Sequence, residues 1–190
     1  MNQINKKLCV KGERISLYFA SKEAKKLVFN MTQDDEIKDL MFGEGGNWCT
    51  WEEYKDIEDE YYTGQPGVNN YLLIEYNGEF IGAISHAYHG SKIRNMELDI
   101  WLRSTSYTGK GLGVEAINLL IEYLRKTYEI KTFIIRPWIK NTRAIKAYKK
   151  CGFEIIDNFN PKDYYEDGEE EWFDGDYGVE ETVNMVKTIK

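Results

Sequence analysis

A glycine-rich stretch near the middle of the chain limits what this sequence can fold into more than any other feature. It reads Tyr107-Thr-Gly-Lys-Gly-Leu-Gly113 and runs directly into a segment with apolar residues at helical spacing: Val114, Ile117, Leu120, Ile121 and Leu124. Glycines let the backbone approach a ligand closely and adopt positive φ. The N–H groups and positive dipole end of the following helix attract an anion, and Lys110 adds a full charge. The pattern predicts a strand, loop and helix that hold a pyrophosphate group.

Two other phosphate-binding motifs do not fit this loop. A P-loop carries Lys-Ser or Lys-Thr after a GxxxxG spacing, and the dinucleotide fingerprint is GxGxxG, whereas this loop reads GxGxG. A purely structural interpretation stays open at this point, in which the glycines only make a tight turn and allow close packing.

The rest of the chain predicts alternating strands and helices. Asn77-Gly78 lies between apolar runs at 71–76 and 80–88, which is typical of a hairpin with a tight primed turn. Further strands are predicted at 15–19, 96–102, 132–135, 153–156 and 182–189. Helices are predicted as two short ones between Ser21 and Leu40, one from Trp51 to about Tyr62 opened by a Thr50/Glu53 capping box, one after the glycine loop, and one from Thr142 to Cys151 closed by Gly152. This order predicts a single α/β (α+β) domain over residues 1–190, with a mixed central sheet and helices on both faces.

The charge of the chain is uneven. The net charge of −7 argues against nucleic acid as a partner, because phosphate binding needs clustered Lys and Arg. Residues 157–181 hold eleven Asp or Glu against the single Lys162. The acidic, aromatic segment 159–178 is predicted to be a solvated loop or hairpin. The alternative is a negative lip that attracts a cationic ligand while Tyr165 or Trp172 stacks on it, and the acidic stretch from Glu52 to Glu60 also fits cation steering.

No membrane or metal partner is expected. The chain has no apolar stretch of about 20 residues and no apolar region near its start, and its three cysteines lack paired spacing. We therefore expect a cytoplasmic protein with reduced thiols. His86 and His89 would point to opposite faces of a strand and lack a third ligand, and residues 163–174 depart from the EF-hand pattern at two ligand positions.

A second motif follows about thirty residues after the glycine loop. The segment Asn141-Thr-Arg-Ala-Ile-Lys-Ala-Tyr-Lys-Lys-Cys-Gly-Phe153 resembles the NxxAxxxYxxxGF segment of GNAT acetyltransferases, and the loop resembles their RxxGxG motif. The resemblance covers about Met96 to Ile156. It implies the GNAT fold, with a mixed sheet of about six to seven strands, and an acetyl-coenzyme A-dependent N-acetyltransferase.

The resemblance also implies roles for single residues. Backbone amides of the loop (Thr108, Gly109, Lys110, Gly111, Leu112 and Gly113) would hold the coenzyme pyrophosphate. Leu102 and Arg103 would pair through backbone groups with the pantetheine arm. Asn141 would contact the coenzyme near the thioester, and Tyr148 would protonate the leaving sulfur. Thr108 departs from the family, which usually has Arg or Gln at this position.

Within the class, the stretch around Asp99 looks most like aminoglycoside 6'-N-acetyltransferases, which carry an aspartate ten residues before the first loop glycine. Trp48 and Trp51 loosely resemble their substrate-lining region. Arg136 stands where those enzymes have an acidic residue that helps to bind the cationic drug. Acetyltransferases of protein N-termini, of the ribosomal-protein type, share much of the pattern.

The reaction needs a neutral amine, and an alkylamine is mostly ammonium at neutral pH. Glu97, Asp99 and Trp101 share one face of their strand, so Asp99 could bind the ammonium and accept its proton directly or through water. An aspartate with its ordinary pKa of about 4 is a poor base at pH 7, and burial or a neighbouring carboxylate such as Glu97 would have to raise that pKa. The structural alternatives are a solvent-facing carboxylate for Asp99 and a packing aromatic for Tyr148.

Three functional hypotheses follow. The first is an acetyl-CoA-dependent transferase for a small cationic amine, with aminoglycosides and hence antibiotic resistance as the sharpest case. The second is an acetyltransferase for a protein or peptide N-terminus. The third is a non-catalytic acyl-CoA-binding domain. A monomer or homodimer is expected for each of them.

Overall fold

The computed structural model describes residues 6–43, 49–56, 59–88, 95–165, 178 and 180–189. The strands are β1 (Lys7–Lys11), β2 (Ile15–Phe19), β3 (Asn70–Tyr76), β4 (Glu79–Ala87), β5 (Asn95–Leu102), β6 (Thr132–Ile135), β7 (Glu154–Ile155) and β8 (Met185–Thr188). The α-helices are α1 (Lys25–Met31), α2 (Asp35–Phe42), α3 (Trp51–Tyr54), α4 (Leu112–Tyr128) and α5 (Thr142–Lys150). Short 3-10 turns lie at Lys22–Ala24, Asp59–Tyr61, Thr105–Tyr107 and Pro161–Asp163.

The eight strands of the described residues form one mixed sheet in the order β1-β2-β3-β4-β5-β6-β8-β7. Every pair is antiparallel except β5 and β6, which are parallel. The expected mixed sheet is therefore confirmed, with slightly more strands than the six to seven expected. The additional strand is the edge strand β1, whose two lysine ends and exposed Leu8 hide the alternation that marks a half-buried strand.

The local turn and cap predictions are confirmed. Asn77 and Gly78 have φ of 52° and 82° and join β3 to β4, as a primed turn requires. Gly152 has φ of 86° after α5.

The helix predicted from Trp51 to Tyr62 is wrong beyond its first turn. The Thr50/Glu53 capping box forms, but α3 ends at Tyr54 and a separate 3-10 turn covers Asp59–Tyr61. Side-chain contacts with other parts of the fold explain the break. Asp59 pairs with Lys22 and with the buried Lys25, and the two tyrosine hydroxyls of Tyr54 and Tyr62 hydrogen-bond each other. These contacts place Tyr54 and Tyr62 side by side, which a continuous helix would not do at this spacing.

Helices cover both faces of the sheet, as predicted. On one face, α4 and α5 pack on a core that includes Met96, Leu98, Leu120 and Phe133. On the other face, α1 and α3 pack on a second core whose members include Val28, Tyr54, Leu73 and Trp101. Alternate residues of β5 therefore belong to different cores.

A gap opens between the two parallel strands. β5 pairs with β6 only from Asn95 to Glu97, opposite residues 132–134, and β6 ends at Ile135. β5 continues to Leu102 and pairs only with β4 over that stretch, among the described strands. The free edge of β5 from Leu98 onward therefore borders an opening through the sheet.

Candidate active site

A cavity of about 320 Å³ lies at this opening. The end of β5, the glycine loop, the start of α4, one face of α5 and the apolar side of α2 enclose it. Its lining includes Ile37, Leu40, Met41, Ile100, Trp101, Leu102, Thr108, Gly109, Gly111, Leu112, Gly113, Asn141, Arg143, Lys146, Tyr148 and Lys150. Both motifs found in the sequence thus border one cavity.

The glycine loop has the geometry that the sequence predicts for an anion site. Gly109 and Gly111 have φ of 72° and 79°, a region that side chains rarely adopt. Gly111 is the N-terminal cap of α4, which has 17 residues, so the first N–H groups of a long helix begin at the loop. Lys110 is exposed beside them.

Thr108, which departs from the family pattern, has a defined place in the structure. Its hydroxyl donates to the carbonyl of Thr105 at 2.7 Å and accepts from Arg143 Nη1 at 2.8 Å. Arg143 belongs to α5, so this contact joins the glycine loop to the opposite wall of the cavity.

The end of β5 directs one backbone N–H towards the opening. The N–H of Arg103 donates to the carbonyl of Ile81 at 2.8 Å, within the sheet. Because successive residues of a strand alternate in direction, the N–H of Leu102 faces the gap. The Arg103 side chain is held by Glu79 at 2.9 Å and by the Tyr107 hydroxyl at 2.8 Å. Of the two residues predicted to pair with a ligand through the backbone, Leu102 is the one whose N–H is so directed.

The two α5 residues of the second motif line the cavity in different ways. Tyr148 is 7% exposed and packs beside Phe153. The side chain of Asn141 caps α5, accepting from the N–H of Ala144 at 3.1 Å, and donates to the carbonyl of Leu40 at 2.9 Å. Asn141 therefore ties α5 to α2, which a reading of the motif alone does not indicate.

Asp99 lies on the other side of the opening, on the α1 face of the sheet. It is exposed, and its Oδ1 accepts from the N–H of Ile100 at 2.8 Å. Across the sheet it stands opposite Ser85, which stands opposite Tyr71. Tyr71 packs edge-on against Trp101 with ring centroids 5.7 Å apart. Asp99 thus lies beside an aromatic floor, and the solvent-facing alternative agrees with its exposure.

Glu97 and Arg136 form a largely buried ion pair. Arg136 Nε donates to Glu97 Oε1 at 2.7 Å, and the side chains are 4% and 16% exposed. The Tyr165 hydroxyl donates to Glu97 Oε2 at 2.9 Å, and the Arg136 guanidinium lies 5.5 Å from the Tyr165 ring centre. Glu97 is therefore paired with a cation, and Arg136 lies in the interior of the protein. The catalytic role of Glu97 and the substrate-binding role of Arg136 stay predictions.

Four aromatic residues were considered for the acceptor side, and the structure describes two of them. The alternative interpretation of segment 159–178 had Tyr165 or Trp172 stacking on a ligand, but Tyr165 is 4% exposed and packs inside the protein. Trp51 is half-buried and packs at a tilt against Phe29, with ring centroids 5.5 Å apart. Lys26 Nζ lies 4.1 Å from the Trp51 ring centre, and Trp51 packs against the α1/α3 core. Trp48 and Trp172, together with His89 and residues 166–177, lie outside the described residues.

Sequence reasoning missed two walls of the cavity. Ile37, Leu40 and Met41 of α2 form its apolar side. Arg143, Lys146 and Lys150 line it from α5, and their spacing of three and four residues along a helix was a signal that could have revealed them. In the described part of the chain, no ion pair joins these three cations to a carboxylate.

Among the described residues, no three His, Cys, Asp or Glu side chains are grouped so that they could hold a metal ion. His86 is fully buried, and burial lowers its pKa to about 4 although its Nδ1 contacts the carbonyl of Val68 at 3.0 Å. None of the helices in the described ranges combines the length and apolar character needed to span a bilayer.

Comparison with known proteins identifies the class. The model of the acetyltransferase (GNAT) domain matches residues 14–154. The chain therefore belongs to the GNAT acetyltransferase family.

Curated relatives are named for different amines, aminoglycosides in one case and spermine or spermidine in another. An aminoglycoside N(6')-acetyltransferase type 1 from Klebsiella pneumoniae is 33% identical over 112 residues, which cover 52% of this chain and 55% of that protein. The chain thus spans little more than half the length of the curated relatives that it matches.

Two solved structures share the fold. The aminoglycoside acetyltransferase AAC(6')-Ib, in complex with coenzyme A, has a TM-score of 0.68 at 19% identity, covering 92% of this chain and 94% of that one. A ribosomal-protein alpha-N-acetyltransferase (RimL), also in complex with coenzyme A, has a TM-score of 0.69 at 15% identity, covering 96% and 98%. At these identities the likeness extends to the fold alone.

Proposed function

We propose that this protein is an acetyl-CoA-dependent N-acetyltransferase that acetylates the primary amine of a small cationic acceptor, with aminoglycosides as the sharpest candidate. The observation that carries the proposal is an opening through the sheet with the glycine loop and Tyr148 on one side and Asp99 on the other. This arrangement allows a donor held at the loop and an acceptor held at Asp99 to meet at the opening.

The residues present suit acetyl-CoA as donor. A loop with two positive-φ glycines precedes the N-terminus of a 17-residue helix, and the exposed Lys110 stands beside it. Arg143, Lys146 and Lys150 add three cations along the cavity, and the cavity of about 320 Å³ falls within the range of small-molecule sites. When bound, the coenzyme supplies an acetyl thioester with a thiol as leaving group.

Each step of transfer has a residue of this chain assigned to it. The Leu102 N–H, directed at the gap, is proposed to donate to the carbonyl oxygen as charge develops there. The amine nitrogen forms the new C–N bond while the C–S bond breaks, and the Tyr148 hydroxyl gives its proton to the departing sulfur. The proton that the nitrogen loses as it becomes an amide then restores the Tyr148 hydroxyl, directly or through water. Asp99 holds the acceptor ammonium and receives its proton, directly or through a water, before the attack.

The preference for a cationic acceptor rests on charge and on the relatives. Asp99 is exposed beside the opening, and α3 carries the exposed acidic residues Glu52 and Glu53 in its first turn. Negative potential raises the local concentration of a polycation. The aminoglycoside acetyltransferase at 33% identity acts on an acceptor of this class by its name. Resistance to such an antibiotic, a cytoplasmic location and a monomeric or dimeric state stay predictions.

The test is thiol release from acetyl-CoA with a panel of 6'-amino aminoglycosides, polyamines and short peptides. We expect turnover with a cationic small molecule and a loss of at least about a hundredfold in Asp99→Asn, since general base catalysis contributes about that much. Asp35→Asn is the matched control, because the Asp35 side chain is 98% exposed on α2.

The other outcomes separate the competing hypotheses. Turnover with peptides alone would assign the protein to acetylation of N-termini. Tight binding of coenzyme A without turnover of any amine, unchanged in Asp99→Asn, would favour a non-catalytic acyl-CoA-binding domain. Failure to bind coenzyme A would contradict the proposal altogether.

A further inference from the structure

The outer side of the glycine loop is held by an arginine from a distant part of the chain. Arg14 lies in the turn between β1 and β2, 96 residues before Lys110, and its Nη1 donates to the Lys110 carbonyl at 2.9 Å. Arg14 is not among the residues that line the cavity, whereas Gly109 and Gly111 are. The contact therefore fixes the loop from outside the site.

This contact determines which way the loop amides face. In a trans peptide the C=O and the following N–H point in opposite directions. Because the Lys110 carbonyl points at Arg14, the N–H of Gly111 points away from it, on the side where Gly111 borders the cavity. Arg14 also packs tightly here: a Cβ at Gly111 would lie 3.3 Å from Arg14 Nη2. Rotation of this peptide would break the contact and turn the N–H away from an anion.

Arg14 also balances a carboxylate close to the anion site. Glu115 stands in the first turn of α4, and its side chain is 16% exposed. Its Oε2 accepts from Arg14 Nε at 2.8 Å, and its Oε1 accepts from the N–H groups of Arg14 at 2.8 Å and Ile15 at 3.2 Å. Burial raises the pKa of Glu115, but these contacts outweigh burial and hold that pKa below its ordinary value, so the carboxylate is ionised at neutral pH. An unbalanced negative charge there would repel a phosphate group.

We infer that Arg14 is a positioning residue of the phosphate loop, which holds the Lys110 carbonyl outward and balances Glu115 so that the loop amides are preset for the coenzyme pyrophosphate. The inference rests on the proposed function, since it takes the ligand of the loop to be coenzyme A. It assigns to Arg14 no contact with the ligand, and it predicts that loss of Arg14 weakens only ligands that carry phosphate.

The experiment compares two probes on the whole protein, coenzyme A and pantetheine, which lacks the pyrophosphate. Isothermal titration calorimetry should show that Arg14→Ala lowers the affinity for coenzyme A by about tenfold to a hundredfold. This is the loss expected when a hydrogen bond that involves a charged group is removed. The affinity for pantetheine, measured by ligand-observed NMR, should change by less than about twofold. Arg125→Ala is the matched control, since Arg125 lies on α4, the helix that carries Glu115, and forms an exposed ion pair with Glu122 at 2.9 Å.

The Glu115 part of the inference is tested by a double variant. Arg14→Ala/Glu115→Gln should bind coenzyme A more tightly than Arg14→Ala, because the unbalanced carboxylate is gone. Arg14→Lys keeps the charge but lacks the guanidinium fork that reaches both the Glu115 carboxylate and the Lys110 carbonyl. Its affinity for coenzyme A should therefore lie between those of wild type and Arg14→Ala. Urea unfolding of each variant checks that the fold is kept, and if Arg14→Ala does not fold, Arg14→Lys carries the comparison.

Two results would overturn the inference. Equal losses for coenzyme A and pantetheine would show that Arg14 supports only the fold as a whole. A double variant no tighter than Arg14→Ala would show that Glu115 exerts no repulsion on the ligand. If the wild-type protein binds neither probe, the proposed function itself fails, which is a different result from either of these.

Discussion

Replacing Arg136 tests whether its ion pair with Glu97 stabilises the fold. The Arg136 side chain is 4% exposed, and its partner Glu97 is 16% exposed with 2.7 Å between Nε and Oε1. Arg136→Met keeps most of the volume but leaves the carboxylate without this cation. The Tyr165 hydroxyl still donates to Oε2 at 2.9 Å, which compensates in part. Breaking a buried pair on one side costs about 3–5 kcal/mol, so we expect a loss of about 3 kcal/mol in the free energy of unfolding.

Urea unfolding followed by circular dichroism measures this loss. With a denaturant slope of about 2–3 kcal/mol per molar, the midpoint should fall by roughly 1–1.5 M. The double variant Glu97→Leu/Arg136→Met should be more stable than Arg136→Met, because it leaves no buried charge unbalanced. Arg125→Met is the control for an exposed pair and should change stability by less than about 1 kcal/mol.

Two results would contradict this expectation. If Arg136→Met lies within about 1 kcal/mol of wild type, or if the double variant loses the sum of the two single losses, the two side chains are not coupled. Arg136 would then return to consideration as a residue of the acceptor site.

Three further predictions concern other parts of the molecule. Burial lowers the pKa of His86 to about 4, against about 6.5 in the unfolded chain. Between these values the unfolded state binds a proton that the folded state does not. Stability should therefore fall as pH drops from about 6.5 to 4, by up to about 3 kcal/mol, and an equally steep decline in His86→Gln would rule this out. Replacing Lys146 and Lys150 together by Ala should lower the affinity for coenzyme A about tenfold and reduce the dependence of that affinity on salt concentration. An unchanged salt dependence would argue against a role for α5 in binding phosphate. Phe133 is fully buried between sheet and helices, so Phe133→Ala should cost about 3–5 kcal/mol in urea unfolding, whereas a loss below about 1 kcal/mol would contradict the packing described.

The parts of the site that sequence could predict are those made by local rules. The geometry of the glycine loop follows from glycines at positive φ before an amphipathic helix, and the Asn77-Gly78 turn follows from the same kind of preference. Each of these features depends on residues a few positions apart. That is why the loop, the hairpin and the cap at Gly152 appear in the structure as expected.

The features that the sequence did not predict have a common cause, which is contact between residues far apart in the chain. Edge strand β1 forms because β2 offers a hydrogen-bonding edge, and the hydrophobic pattern of β1 does not itself predict a strand. The helix predicted to reach Tyr62 ends early because Asp59 finds Lys25, 34 residues away. Local propensity cannot anticipate a partner that only the folded chain supplies.

The sequence by itself therefore indicated the class of this protein, because the glycine loop and the segment 141–153 are each built from neighbouring residues. Only the tertiary structure decided which charges meet. It joined Glu97 to Arg136 across the two parallel strands, and Arg14 to Glu115 across 101 residues of chain. A charge acts according to what lies within a few ångströms of it, and those distances are set by the fold.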